Sequence, residues 1–125
     1  VLDIVQCKHY IMGMAATPEK KVKDKVVAIL KKHGVYYFFP ATYGRGRSGV
    51  PDIICCVSGH FLGIECKAGK AVPTRLQERE LHTIRMAGGS AFVIREEEIP
   101  LLEEIMVDYI REKSLTRVKA QNHAR

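Results

Sequence analysis

The stretch GVPDIICCVSGHFLGIECK, residues 49–67, decides how this chain folds. Two runs rich in Ile, Cys, Val, Phe and Leu flank Ser58-Gly59, a dipeptide suited to a two-residue hairpin turn. Strands are therefore expected over Asp52–Val57 and His60–Lys67. The charges inside this apolar hairpin are the feature to explain, because Asp52, Glu65 and Lys67 would each be costly to bury without partners.

Alternation along a strand sorts these residues by face. Asp52, Ile54 and Cys56 share one face of the first strand, and Gly63, Glu65 and Lys67 share one face of the second. If Ser58-Gly59 is the turn, Val57 pairs with His60 and, counting outward, Asp52 falls opposite Glu65. Directly opposed Cβ atoms lie about 5 Å apart, where like charges destabilise a sheet. A divalent cation would resolve the conflict. Lys67 follows about 7 Å along the same face, within reach of a bound water and a phosphate. Oxygen ligands with vacant water positions suit magnesium, with manganese as a substitute, rather than zinc. Such an ion would polarise a phosphate and acidify its water, and Lys67 would steady the nucleophile or the developing charge. This is the chemistry of phosphodiester hydrolysis. The opposition of Asp52 and Glu65 depends on register, since a three-residue turn would shift the pairing by one; the plainer reading keeps Asp52 exposed at a strand start and Glu65 and Lys67 as a solvated pair.

Outward from the hairpin, Thr17, Pro18 and Glu19 read as N-cap, first position and dipole-favoured acid of a helix. Its apolar face is Val22, Val26, Ile29 and Leu30, and Gly34 ends it. Glu19 projects from the first turn on the side of that face, where helix-terminus electrostatics alone would also explain it. Val35–Phe39 reads as a strand stopped by Pro40. Residues 41–50, ATYGRGRSGV, form a glycine-rich loop carrying Arg45 and Arg47. Pro73 and Thr74 open a second helix over Arg75–Ala87, with Gln77, Leu81 and Ile84 on one stripe. Ser90–Arg95 is a further strand, and Pro100 opens a third helix whose Met106, Tyr109 and Ile110 suit either core or an interface. Residues 1–16 are expected to be an N-terminal arm or extra strand, 17–113 the domain, and 114–125 a basic, fraying tail. Strands with intervening helices give an α/β fold with a mixed central β-sheet flanked by helices.

Composition is compatible with this reading. The chain has 125 residues, 46% apolar and 27% charged, enough for one core. Twenty basic against 14 acidic residues give a net charge of +6, favouring a polyanion and nucleic acid first. Arg45, Arg47, Lys70 and Arg75 are the candidate phosphate contacts. Cys7, Cys55, Cys56 and Cys66 lack zinc spacing and read as reduced, buried apolar residues. No membrane span is legible.

At Pro51-Asp52 and Glu65-Cys66-Lys67 the sequence resembles the PD-(D/E)xK nuclease superfamily. More narrowly, Gly49-x-Pro51-Asp52, Glu65-x-Lys67, Gln77, Leu81 and Gly88-Gly89 are similar to the virus-type replication–repair nuclease (VRR-NUC) domain in its small stand-alone form. The likeness spans roughly residues 17–95. It implies a restriction-endonuclease-like core, with Asp52, Glu65 and the Cys66 backbone carbonyl as metal ligands and Glu19 touching the metal directly or through water. It further implies that Lys67 assists the attacking water and that Gln77 orients Lys67 or the scissile phosphate. The expected activity is a Mg2+-dependent DNA endonuclease, a homodimer acting on four-way (Holliday) junctions, inside a bacterial or phage-infected cell. The competing readings are a nicking or flap nuclease without junction preference, a non-catalytic DNA-binding module, and a structural interaction protein, which leaves the charged hairpin unexplained.

Overall fold

The computed structural model describes residues 16–124. The expected arm or strand over residues 1–16 falls almost wholly outside them.

The first helix, α1, spans Pro18–Lys32, capped by the Thr17 hydroxyl, which accepts from the Lys20 N–H at 3.1 Å. It ends in a Schellman motif. Gly34, at φ +63°, donates to the Lys31 carbonyl, and Val35 donates to that of Leu30. The short edge strand β1, Tyr36–Phe38, follows. Strands β2, Ile53–Val57, and β3, His60–Cys66, form the expected hairpin. Both turn residues, Ser58 at φ +51° and Gly59 at φ +88°, are left-handed, as a type I′ turn requires. Helix α2, Arg75–Met86, carries the chain to β4, Ser90–Ile94. A 3-10 turn at Glu96–Glu98 then leads into α3, Ile99–His123.

The sheet order is β1-β2-β3-β4, antiparallel except for the β3–β4 pair, which α2 joins in parallel. This is the mixed, helix-flanked sheet expected from the sequence. The hairpin register is also as expected, running from Val57–His60 to Ile53–Ile64. One face of the sheet carries Ile53, Cys55, Val57, Leu62, Ile64 and Cys66. It packs against Val22, Val26 and Leu30 of α1 and Leu102 and Met106 of α3, forming the core. Met106 is thus fully buried, and Tyr109 and Ile110 pack partly against the core rather than forming a free interface. Tyr109 is further held by stacking on His60 and by a 3.0 Å hydrogen bond with Ser90.

Helix α2 covers the opposite face over β3 and β4 only. Tyr36, Phe38 and Cys56 stay exposed on the uncovered half, and Phe61 of β3 is exposed beside them. Cys55 and Cys66 are the buried thiols expected, whereas Cys56 departs from that expectation because it points out of the opposite side of the strand.

Past Lys113, where a fraying tail was expected, α3 continues as an exposed helix to His123. Residues 111–123 contain neither Gly nor Pro, and a docked helix propagates without a new nucleation cost.

Glycine-49 explains how the loop reaches the sheet. It sits at φ +75° against the first turn of α2, where a β-carbon would lie 2.6 Å from the Leu76 carbonyl carbon and 2.8 Å from the Gln77 nitrogen. Those are backbone atoms and cannot yield. At Gly63 the obstacle would be the Ile84 δ-methyl at 2.8 Å and the Pro51 ring at 3.0 Å, side-chain atoms with more freedom. Gly49→Ala is therefore expected to cost about 2–4 kcal/mol in urea unfolding, more than Gly63→Ala. Equal or reversed losses would show that the loop does not depend on this close approach.

Candidate metal centre

Strand β2 begins at Ile53, so Asp52 lies one residue outside the outermost ladder pair, in a bend. Its side chain turns into the space where the ladder would have continued. There Oδ2 accepts the Cys66 N–H at 2.9 Å. The N–H and carbonyl of one strand residue point to the same side, so the Cys66 carbonyl is also directed past the end of β2. The register carries Asp52 to a place across from Glu65, and there its side chain substitutes for backbone pairing.

Glu65 is 1% exposed, the most deeply buried acid among the described residues. Two donors address its Oε1: the Gln77 amide at 3.0 Å and the Lys67 ammonium at 3.5 Å. The Gln77 amide orientation is itself determined. Its Oε1 accepts the Thr74 N–H at 2.9 Å in a capping box, leaving only the NH2 group for Glu65. Gln77 thus donates to Glu65, whereas the resemblance implied that it orients Lys67 or the scissile phosphate.

Glu19 reaches the same place from the first turn of α1. One carboxylate oxygen from each of Glu19, Asp52 and Glu65 lies within 4.8 Å of the others. Burial, reinforced by the nearby Asp52 charge, pushes the Glu65 carboxyl up to about 7 despite the opposing effect of Lys67. Three convergent carboxylates, one buried and destabilised as an anion, fit a hard divalent cation, and an all-oxygen set suits magnesium or manganese. The Cys66 thiol is turned to the core on the other face, where burial followed by the Asp52 charge raises it to about 12, so it takes no part as a thiolate.

The four basic candidates separate. Arg45, Lys70 and Arg75 are exposed. Arg47 is engaged: its Nε and one Nη donate to the two oxygens of Glu80 at 2.6 and 2.8 Å. Glu80 is buried on the inner face of α2, and the hydrogen bonds from Arg47 hold its carboxyl below the ordinary value. Sequence reading missed Glu80. Its signal was its place three residues after Gln77 and one before Leu81, on the stripe that meets the sheet.

No family model matches the sequence, and no curated protein matches it. Solved structures do. One described as "VRR_NUC domain" superposes with a TM-score of 0.62 at 24% identity, covering 71% of this chain and 97% of its own. A second, "VRR_NUC domain protein", gives 0.58 at 21% identity, covering 78% of this chain and 92% of its own. This chain has the VRR_NUC fold. Within that fold, the Gly49-x-Pro51-Asp52 stretch, Glu65 and Gln77 are brought together at one end of the sheet.

The raised Glu65 carboxyl sets a pH dependence. Between the ordinary carboxyl range and about pH 7, the unfolded chain has released a proton that the folded chain keeps. Stability of the cation-free protein from this group therefore falls as pH rises through that window and levels off above it. Millimolar Mg2+, taking the proton's place, should raise the thermal midpoint at about pH 8 much more than at about pH 5. The Glu65→Gln protein should lose that difference. The same midpoint shift at both pH values would argue against Glu65 as a ligand.

Proposed function

We propose that this protein is a metal-dependent DNA endonuclease that hydrolyses phosphodiester bonds. The observation that carries the reading is the convergence of Glu19, Asp52 and Glu65 beside the Lys67 ammonium. A non-catalytic DNA-binding module has no use for three acids at its phosphate site, because they repel the ligand. The VRR_NUC fold and the net charge of +6 agree with a nucleic-acid substrate.

Glu19, Asp52 and Glu65 would hold a Mg2+ ion, or Mn2+ in its place, with the Cys66 carbonyl as a further ligand. When bound, such an ion supplies polarisation of the phosphate and a more acidic water. Asp52 is steadied by the Cys66 N–H and Glu65 by Gln77, so two acids are oriented before any ligand arrives. Lys67 is largely buried, with its ammonium beside Glu65. There it orients the attacking water and stabilises negative charge developing on the phosphate. Arg45, Lys70 and Arg75 supply phosphate contacts outside the centre.

The preferred substrate in this reading is a four-way junction, cut by a homodimer whose two-fold axis pairs the incisions. The exposed sheet face carrying Tyr36, Phe38 and Phe61 offers apolar surface for such a pairing. An intracellular setting, bacterial or phage-infected, accords with the free thiols.

The test is cleavage of a mobile junction, a flap and a linear duplex in Mg2+, Mn2+ or chelator. Symmetric, cation-dependent junction resolution is expected. Equal cutting of all three substrates would replace junction preference with general nicking, and binding without cutting would remove the nuclease reading. Lys67→Ala should lower turnover by about a hundredfold or more while keeping the Mg2+-induced rise in thermal midpoint, whereas Asp52→Ala should lose both.

The Arg47–Glu80 pair yields a separate expectation. Arg45→Ala should reduce the slope of log affinity against log salt by about 0.9. Arg47→Ala should leave that slope nearly unchanged but destabilise the fold by stranding Glu80. A salt-slope loss in both variants would return Arg47 to the DNA surface.

A further inference from the structure

A cleft of about 460 Å³ adjoins the acidic centre, lined by Thr17, Glu19, Lys20, Lys23, Phe39 and Asp52, with Asp24 at its side. Two of its walls are thus members of the acidic cluster. Phe39 is 49% exposed there. Its ring meets that of Tyr37 edge-on, with centroids 5.9 Å apart, and Tyr37 packs partly against the core. Pro40 follows and restricts the backbone. The ring is consequently braced rather than loose. The Lys23 ammonium lies over it, 4.5 Å from the centroid, while the neighbouring Lys20 is already paired with Asp24 at 2.7 Å.

We infer that Phe39 is a stacking platform for an unpaired nucleobase of the DNA strand being cut, with Lys23 as the contact to the adjacent phosphate. This deepens the nuclease reading and rests on it. A cation over an exposed ring is weakly held, and a DNA phosphate is a much better partner for an ammonium. Lys23 can therefore swing from the ring to the backbone as a base takes its place over the aromatic face. The occupant is a nucleotide rather than an apolar peptide because the cleft sets one aromatic face beside the Lys23 ammonium and is continuous with the acidic centre. A phosphate placed at those acids brings its neighbouring base to Phe39. Within an intact duplex that base is sandwiched by its neighbours and cannot stack on protein. The platform thus selects DNA with an unstacked nucleotide beside the scissile phosphate, as at a junction, flap or frayed end. Phe39 touches substrate but no reacting atom, so it is a specificity and positioning residue.

The experiment pairs protein and substrate deletions. Binding of a labelled junction is measured in Ca2+, and cleavage in Mg2+, for wild type, Phe39→Ala, Phe39→Leu and Phe39→Trp. Single abasic sites are scanned through the few nucleotides flanking the cut. Phe39→Ala and Phe39→Leu should weaken binding by roughly five- to 150-fold, and Phe39→Trp should retain it. One abasic position should cause the same loss in wild type and no further loss in Phe39→Ala. Losses that simply multiply at every abasic position would overturn the platform and leave Phe39 a structural residue. Wild-type affinity in Phe39→Ala would do the same while Mg2+-dependent cutting kept the nuclease reading intact. If no substrate is cut yet the Phe39-dependent, base-dependent binding persists, the nuclease reading falls and takes with it the placement of that base beside a scissile phosphate, leaving Phe39 a DNA-binding contact only.

Discussion

A buried carboxylate close to a second carboxylate is the constraint around which the molecule is arranged. Glu65 is withdrawn from water one residue from the end of a central strand, with Asp52 near enough to raise its proton affinity. Such an arrangement is unfavourable by itself. Two side chains offset it, and each is tied to a different part of the fold. Lys67 directly follows the same strand, its N–H still bonded to the Ile94 carbonyl, so its position continues the alternation. Gln77 comes from α2, and it can donate only because its carbonyl is occupied by the Thr74 N–H. A helix cap thereby becomes part of the acidic centre.

The loop between β1 and β2 is held to the same helix by two unrelated contacts. Gly49 rests on the Leu76–Gln77 backbone, which admits no side chain. One α-helical turn further on, Arg47 grips Glu80 with two hydrogen bonds. The glycine-rich segment, which suggests a mobile phosphate-binding loop from composition alone, is fastened at its C-terminal half. Its consequence is positional: Pro51 and Asp52 enter β2 in a fixed relation to Gln77, so Asp52 and Glu65 are not left to find each other across a flexible loop.

Much of this was legible because it obeys local rules. The Ser58-Gly59 turn and apolar alternation specify the hairpin register, and Thr17, Gly34, Thr74 and Gly88 mark helix ends through capping chemistry. Glu19, Asp52, Glu65, Lys67 and Gln77 could be named because period-2 and helical spacing place them on definable faces. Most of what escaped was non-local. Nothing adjacent to Arg47 announces that its partner is Glu80, 33 positions away. The rotation of Asp52 onto the Cys66 N–H depends on β2 stopping one residue short. The persistence of α3 past Lys113 reflects helix propensity acting where no burial exists to signal it.

Sheet topology explains why the centre opens where it does. Glu19 belongs to a helix packed on the core face, whereas Glu65 and Gln77 belong to the face covered by α2. Side chains from opposite faces cannot meet through a continuous sheet. They meet here because Pro51 lacks an N–H and β2 terminates beside it, leaving β3 to run on to Cys66 without a partner on that side. The gap admits Glu19 around the end of the sheet and gives Asp52 a backbone donor. Phe39 stands at the corresponding end of β1, just beyond its last paired residue. The acids and the exposed ring are thus neighbours for one geometric reason: two adjacent strands stop early at the same edge, and the space they vacate is both the acidic centre and its approach.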